Sequence, residues 1–254
     1  LARGLALKLP VEVASIELSD DLQELRVDGR VFKPSTRLVG DLKPVLASSV
    51  DESLQGEPAY FMFRSVSRAV DEQLFKCLCL RYDITVIPPR VLGEEFVKTF
   101  GHYHPTPYGD LSYPEVYEVL VGEAHYILQR EERGAIKDIV VVRAREGDKV
   151  LIPPNYGHVT VNPSSKILVM ANLVSSTFKS IYEPYKARRG AALYELADGR
   201  LLANEEYGET PRYREEKPLR NLPGAAGGDL YTSFLKNPLA YRFLNNPLLT
   251  PRVW

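Results

Sequence analysis

Between Glu115 and Val174 the chain passes through six short apolar stretches: EVYEVLVG, AHYILQRE, IKDIVVVRA, KVLIPP, HVTVN and KILVMANLV. Turn chemistry separates them, at Gly122-Glu123, Glu132-Arg133-Gly134, Glu146-Gly147-Asp148 and Asn162-Pro163-Ser164-Ser165. Many short strands at regular spacing, with no helical periodicity between them, indicate an antiparallel sandwich or barrel. Upstream, YFMFRSVSRAV from Tyr60 and LFKCLCLRYDITVI from Leu74 are rich in aromatic and β-branched residues and read as two more strands. Pro88-Pro89 ends the second, and residues 95–99 begin another.

The flanks are less regular. Residues 11–31 alternate weakly around an Asp28-Gly29 turn, which suggests a short hairpin, and Gly40 and Pro44 allow only a short helix after Arg37. A second hairpin is signalled at Asp198-Gly199. After about Glu215 the sequence REEKPLRNLPGAAGGDL reads as a linker, followed by a tail that wraps its own domain or a partner subunit. The expected organisation is an N-terminal extension over 1–30, a barrel over 31–212, and a linker and tail over 213–254. With 44% hydrophobic and 26% charged residues the chain is an ordinary globular one, and its net charge of −1 argues against nucleic-acid or membrane-surface partners. The apolar start LARGLALKLP is too short and broken to read as a signal peptide. The two cysteines, Cys77 and Cys79, sit two apart on an expected strand, a poor disulfide geometry that suggests a buried thiol pair and a cytoplasmic location.

The chemistry concentrates in TFGHYHPTPYGDLSYPEVYEVLVG, residues 99–122. On a strand, residues two apart share a face, so His102 and His104 would direct both imidazoles at one interior point. Glu115 follows after a ten-residue loop, and Gly122 after six intervening residues. Downstream, Gly147 precedes Pro153 by five residues, and Gly157-His158 precedes Asn162 by three. These spacings are similar to the two halves of the cupin metal signature. They imply an all-β double-stranded β-helix, a jelly-roll-like barrel, in which His102, His104, Glu115 and His158 meet at one end. Three neutral imidazoles and a carboxylate suit Fe, Mn, Ni, Co or Zn. His125 lies outside the signature, either lining the pocket or serving the structure.

The segments TVIPPRVLGEEFVKTFGHYHP, YPEVYEVLVGEAHYILQ and VLIPPNYGHVTVNPS resemble, more specifically, the cupin-type phosphoglucose isomerases known mainly from archaea. The resemblance spans roughly residues 30–210. It implies interconversion of glucose 6-phosphate and fructose 6-phosphate, the isomerase step shared by glycolysis and gluconeogenesis. It also implies one divalent metal per subunit, iron foremost, on His102, His104, Glu115 and His158, and a homodimer. The family's phosphate pocket falls here on Thr85, Thr99 and Gly101, whose hydroxyls and freely approached backbone N–H suit an anion. Tyr117, on Glu115's face of the strand, should meet the sugar. The chain departs from compact members in its longer loop between His104 and Glu115, its N-terminal extension and its tail.

Within that reading Glu115 and Tyr117 are the catalytic candidates, with proton transfer through an enediol expected and direct hydride transfer left open. Activity on mannose 6-phosphate is likewise open. A metal-dependent cupin oxygenase and a non-catalytic sugar-binding cupin are the competing functions, since the same four ligands serve oxygenases and the fold serves binding proteins.

Overall fold

A computed structural model describes residues 6–107 and 109–254. Residues 1–5, where the reading of no signal peptide begins, and Tyr108 of the 105–114 loop lie outside the described residues.

The apolar stretches fold into two facing sheets. The larger is fully antiparallel and has the strand order Lys149–Ile152, Glu115–Val121, Leu168–Ser175, Leu80–Ile87, Pro58–Phe63 and Ser35–Leu38. The smaller runs Tyr156–Val161, Glu123–Glu132, Ala135–Arg145 and, in parallel at its far edge, Arg214–Glu216. The arrangement is the cupin double-stranded β-helix. Between the sheets lies one core, to which Tyr117, Val119, Leu128, Val140, Val150 and Val159 contribute.

The larger sheet is covered on its outer face as well, so Glu115–Val121 and Leu168–Ser175 are buried almost throughout rather than on alternate residues. That outer face carries Phe61, Phe63, Tyr82, Ile84, Val116 and Leu120. A four-stranded antiparallel sheet, Leu7–Leu9, Ile16–Leu18, Leu25–Val27 and Arg30–Phe32, covers part of it with Ile16, Leu18 and Leu25. The hairpin at Asp28-Gly29 closes this sheet.

The C-terminal segment covers the rest. Asp229 caps the helix Leu230–Lys236 by accepting from the Thr232 N–H at 2.9 Å, and Tyr231, Phe234, Tyr241 and Leu244 are fully buried against the sheet. Each such side chain is worth about 1.5–3 kcal/mol in apolar burial, so residues after 229 are part of the core rather than a loose end. The buried Glu118 carboxylate links sheet to tail: it accepts from the Leu230 N–H at 2.6 Å and pairs with Lys149 at 3.0 Å.

Two local expectations are corrected. Residues 72–77 form a helix, not a strand, with Phe75 packed inward and Glu72 and Lys76 paired one turn apart on the solvent side. Cys77 and Cys79 are consequently not a buried pair: Cys77 ends the helix, Cys79 takes a left-handed turn at φ 51°, and both thiols are free and exposed. Short apolar runs do not distinguish strand from helix, and only Phe75, the most deeply buried of its helix, finds a place in the core. Among the described residues no helix is long and apolar enough to cross a membrane.

Candidate metal centre

The four donors come from three places in the chain and meet at one end of the space between the sheets. Glu115 opens the Glu115–Val121 strand of the larger sheet, and His158 lies on Tyr156–Val161 of the smaller. The histidine pair lies on no regular strand: His102 makes a single antiparallel bridge to His158, and Tyr103 another to Ile181. Those two bridges keep the backbone extended, and His102 and His104 still face the same point. The four ligand-type atoms all lie within 4.8 Å of one another.

Individual separations are closer. His102 Nε2 and His104 Nε2 are 3.1 Å apart. Glu115 Oε2 stands 3.4 Å from His104 Nε2 and 3.3 Å from His158 Nε2. Donors bound to one ion at about 2.0–2.2 Å stand roughly 3–3.5 Å from their neighbours. Glu115 Oε2 is also buried without a hydrogen-bond partner among the described residues, a costly state for a carboxylate oxygen unless a cation satisfies it. The residues therefore fit a divalent metal.

Neighbouring groups orient the donors. His104 Nδ1 donates to the Tyr113 carbonyl at 2.8 Å, which turns the lone pair of Nε2 toward the other ligands. Asn172 Nδ2 donates to Glu115 Oε1 at 2.7 Å, leaving Oε2 to face the imidazoles. Burial disfavours the charged imidazole and holds His102 well below the usual histidine range and His158 below it. Burial pushes the Glu115 carboxyl up, but the adjacent His104 and His158 imidazoles outweigh it and hold the group well below the usual carboxylate range. A neutral His102 and His158 beside an ionised Glu115 are the forms that bind metal.

Tyr117 shares Glu115's face, and its hydroxyl lies 3.1 Å from His158 Nε2. Burial and the Glu115 charge push the phenol well above its usual range, so it stays protonated and can donate. Thr85, Thr99 and Gly101 line the same cavity as His102, His104, Glu115 and Tyr117. Thr99 Oγ1 accepts from the Thr160 N–H at 3.0 Å, which leaves its own hydroxyl hydrogen to donate. Gly101 has φ +82°, and a Cβ there would meet the Tyr185 ring at 2.4 Å. His125 does not reach the cavity: its Nδ1 pairs with Glu195 at 2.7 Å and its Nε2 lies 3.4 Å from Glu123. Asn162 pins a turn by donating to the carbonyls of Ile87 and Lys166, both at 2.9 Å.

The sequence reading missed Asn172, which stands opposite Tyr117 in the strand register, and the arginines Arg64 and Arg81, which also line the cavity. A period-two signal was available for Arg81, which shares a face with Asp83 and Thr85 on Leu80–Ile87.

The chain is similar to several known proteins. Over 147 residues it is 29% identical to the glucose-6-phosphate isomerase of Thermococcus litoralis, covering 56% of this chain and 69% of that one. The enzyme of the same name from Thermococcus kodakarensis is 25% identical over 79% of this chain and 97% of its own. That of Pyrococcus furiosus is 35% identical over a shorter stretch, 33% of this chain and 40% of its own. Among solved structures, oxalate oxidase aligns at a TM-score of 0.38 and 14% identity over 55% of this chain and 62% of that chain, a likeness too low to bear on chemistry. The family model described as Glucose-6-phosphate isomerase (GPI) matches residues 36–212, well over half of the chain. With that match taking in all four clustered donors, the chain belongs to the glucose-6-phosphate isomerase family.

Proposed function

We propose that the protein is a metal-dependent aldose–ketose isomerase that interconverts glucose 6-phosphate and fructose 6-phosphate through an enediol(ate), in glycolysis and gluconeogenesis, as a cytoplasmic homodimer. The observation that carries this reading is the unpartnered, buried Glu115 Oε2 among three imidazoles, opening on the cavity that Thr85, Thr99 and Gly101 line. His102, His104, Glu115 and His158 hold the metal, with iron the first choice and Mn, Ni, Co or Zn acceptable to the same donors. A divalent ion there supplies Lewis acidity toward the sugar's O1 and O2.

The remaining work falls to the chain. Thr85, Thr99 and the Gly101 N–H anchor the phosphoryl end and so fix C1 and C2 beside Glu115. Glu115 accepts the proton from C2 of the open-chain aldose and returns it to C1, while a hydroxyl proton passes from O2 to O1. Tyr117, being un-ionised, donates to a sugar oxygen, and Glu115 serves as the base.

The test is isomerisation under anaerobic conditions before and after chelation, with each metal returned in turn and solvent deuterium followed into product. Activity lost on chelation and restored by metal, with deuterium at C1 or C2, supports the reading. Activity indifferent to chelation sinks the metal role, and a product free of deuterium sinks solvent-exchanging proton transfer in favour of direct hydride transfer or a fully shielded shuttle.

A further inference from the structure

Two arginines that the proposed chemistry does not yet employ, Arg64 and Arg81, line the cavity, and Asp83 stands behind them. Asp83 is fully buried, and its Oδ2 accepts from both Arg64 Nη1 at 2.7 Å and Arg81 Nε at 2.8 Å. Its Oδ1 accepts from the Ser65 N–H at 2.8 Å. One carboxylate thus orients two guanidinium groups, and the cluster retains a net charge of +1.

Neither guanidinium is exhausted by this. Among the described residues the two Nη groups of Arg81 have no hydrogen-bond partner, and Arg64 Nη2 rests 3.2 Å from the Met62 sulfur, a weak acceptor. Both side chains keep part of their surface open, 43% for Arg64 and 24% for Arg81, and both line the cavity that holds His102 and Glu115. Their placement follows from register. Phe63 stands opposite Ile84, so Arg64 follows beside Asp83, and Asp83 lies between Arg81 and Thr85 on one face of Leu80–Ile87. A planar fork held by a buried carboxylate, with its outer N–H groups unspent, is a prepaid anion site.

We propose that Arg64 and Arg81, held by Asp83, bind the phosphoryl group of the sugar phosphate. This rests on the isomerase reading above and adds to it. Hydroxyls and an N–H contribute hydrogen bonds but no charge, whereas a group carrying about −1.5 to −2 charges is held by two fixed cations. Substrate phosphate, not the sugar ring, is the partner, because the fork matches tetrahedral oxygens and the ring offers no charge.

Two measurements on Arg64→Gln and Arg81→Gln test this. The first is the affinity of metal-free protein for inorganic phosphate by calorimetry, with neutral fructose as the control ligand. The second is KM and kcat for fructose 6-phosphate on metal-loaded protein. Loss of one charged contact should raise both the phosphate Kd and KM by about 10- to 100-fold, with kcat within about threefold if the contact is uniform between ground and transition states. Arg64→Lys, which keeps the charge and loses the fork, should fall between. Removing both arginines strands the buried Asp83 carboxylate, so the double variant carries D83N as well; if a single glutamine variant fails to fold, Arg64→Lys and this triple variant are read instead. Unchanged phosphate affinity and KM in variants of an active enzyme overturn the proposal, as does lost kcat with KM intact. A wild type that binds phosphate through these arginines but isomerises nothing overturns the isomerase reading and leaves the anion site standing.

Discussion

His104 Nδ1 donates to the carbonyl oxygen of Tyr113, at 2.8 Å, so the far end of the 105–114 loop determines which imidazole nitrogen faces the other donors. A loop with a long excursion in sequence therefore has a short-range effect on the metal site. Replacing residues 106–111 with a shorter Gly-Ser bridge displaces Tyr113 and frees the ring. The expected result is a 10- to 100-fold loss in metal affinity, about what loss of an orienting partner costs, measured by competition with a chelator, while the barrel's melting transition stays cooperative.

Glu115 accepts from Asn172 and is both the proposed ligand and the proposed base. Glu115→Gln should reduce metal content per chain and lower kcat by at least about 10³-fold, consistent with the loss of a general base. Asn172→Leu leaves the carboxylate in place but releases Oε1, and a fall of about 10-fold in metal affinity is expected. Elemental analysis alongside the isomerase assay distinguishes the two. Full activity in E115Q would refute its part in catalysis.

The cluster makes the metal-free protein sensitive to acid. His102 and His158 titrate below the ordinary histidine value of about 6.5 in the fold, because burial opposes their charge. Between their folded values and about 6.5 the unfolded chain binds more protons, so stability falls as pH drops through that window. Glu115, depressed as well, adds a loss at lower pH, below its unfolded value of about 4.3. Thermal melts of chelated protein from pH 7.5 to 4.5 should show a decline that begins near pH 6.5 and is shallower in a His102→Asn variant.

Gly101 provides a structural prediction independent of metal. Its φ of +82° lies where side chains are strained, and a Cβ would stand 2.4 Å from the Tyr185 ring, which is itself fully buried. Gly101→Ala should cost about 2–4 kcal/mol, strain and overpacking together, read from denaturant melts.

The cysteines and the C-terminal segment are tested by simple means. Both thiols should react with a bulky aromatic disulfide in the native state, and Cys77→Ser with Cys79→Ser should shift stability by no more than about 0.5 kcal/mol. Ending the chain after residue 228 removes Tyr231, Phe234 and Tyr241 from the core and the Leu230 N–H that Glu118 accepts from, and loss of cooperative folding is the expected outcome.

Much of the strand content and the four side chains that cluster as candidate donors were legible in the chain itself. Alternation and turn residues act over two to ten positions, and the His102-x-His104 spacing places both imidazoles alike whenever the backbone is extended, even where the structure supplies only isolated bridges instead of a regular strand. Thr85, Thr99 and Gly101 could be named from family resemblance, and they do line one cavity. What the sequence could not decide was which residues face one another across strands far apart in the chain. The Asn172 support for Glu115 bridges 57 positions and depends on register, as does the convergence of Arg64 and Arg81 on Asp83. The helix at residues 72–77 and the packing of residues 230–244 depend on the outer face of the larger sheet, an apolar surface that exists only after the sheet has formed. Local spacing set the donors of the site beside Thr99 to Gly122. Tertiary packing determined how they are aimed and which charges stand around them, because burial and cross-strand register are properties of the whole fold.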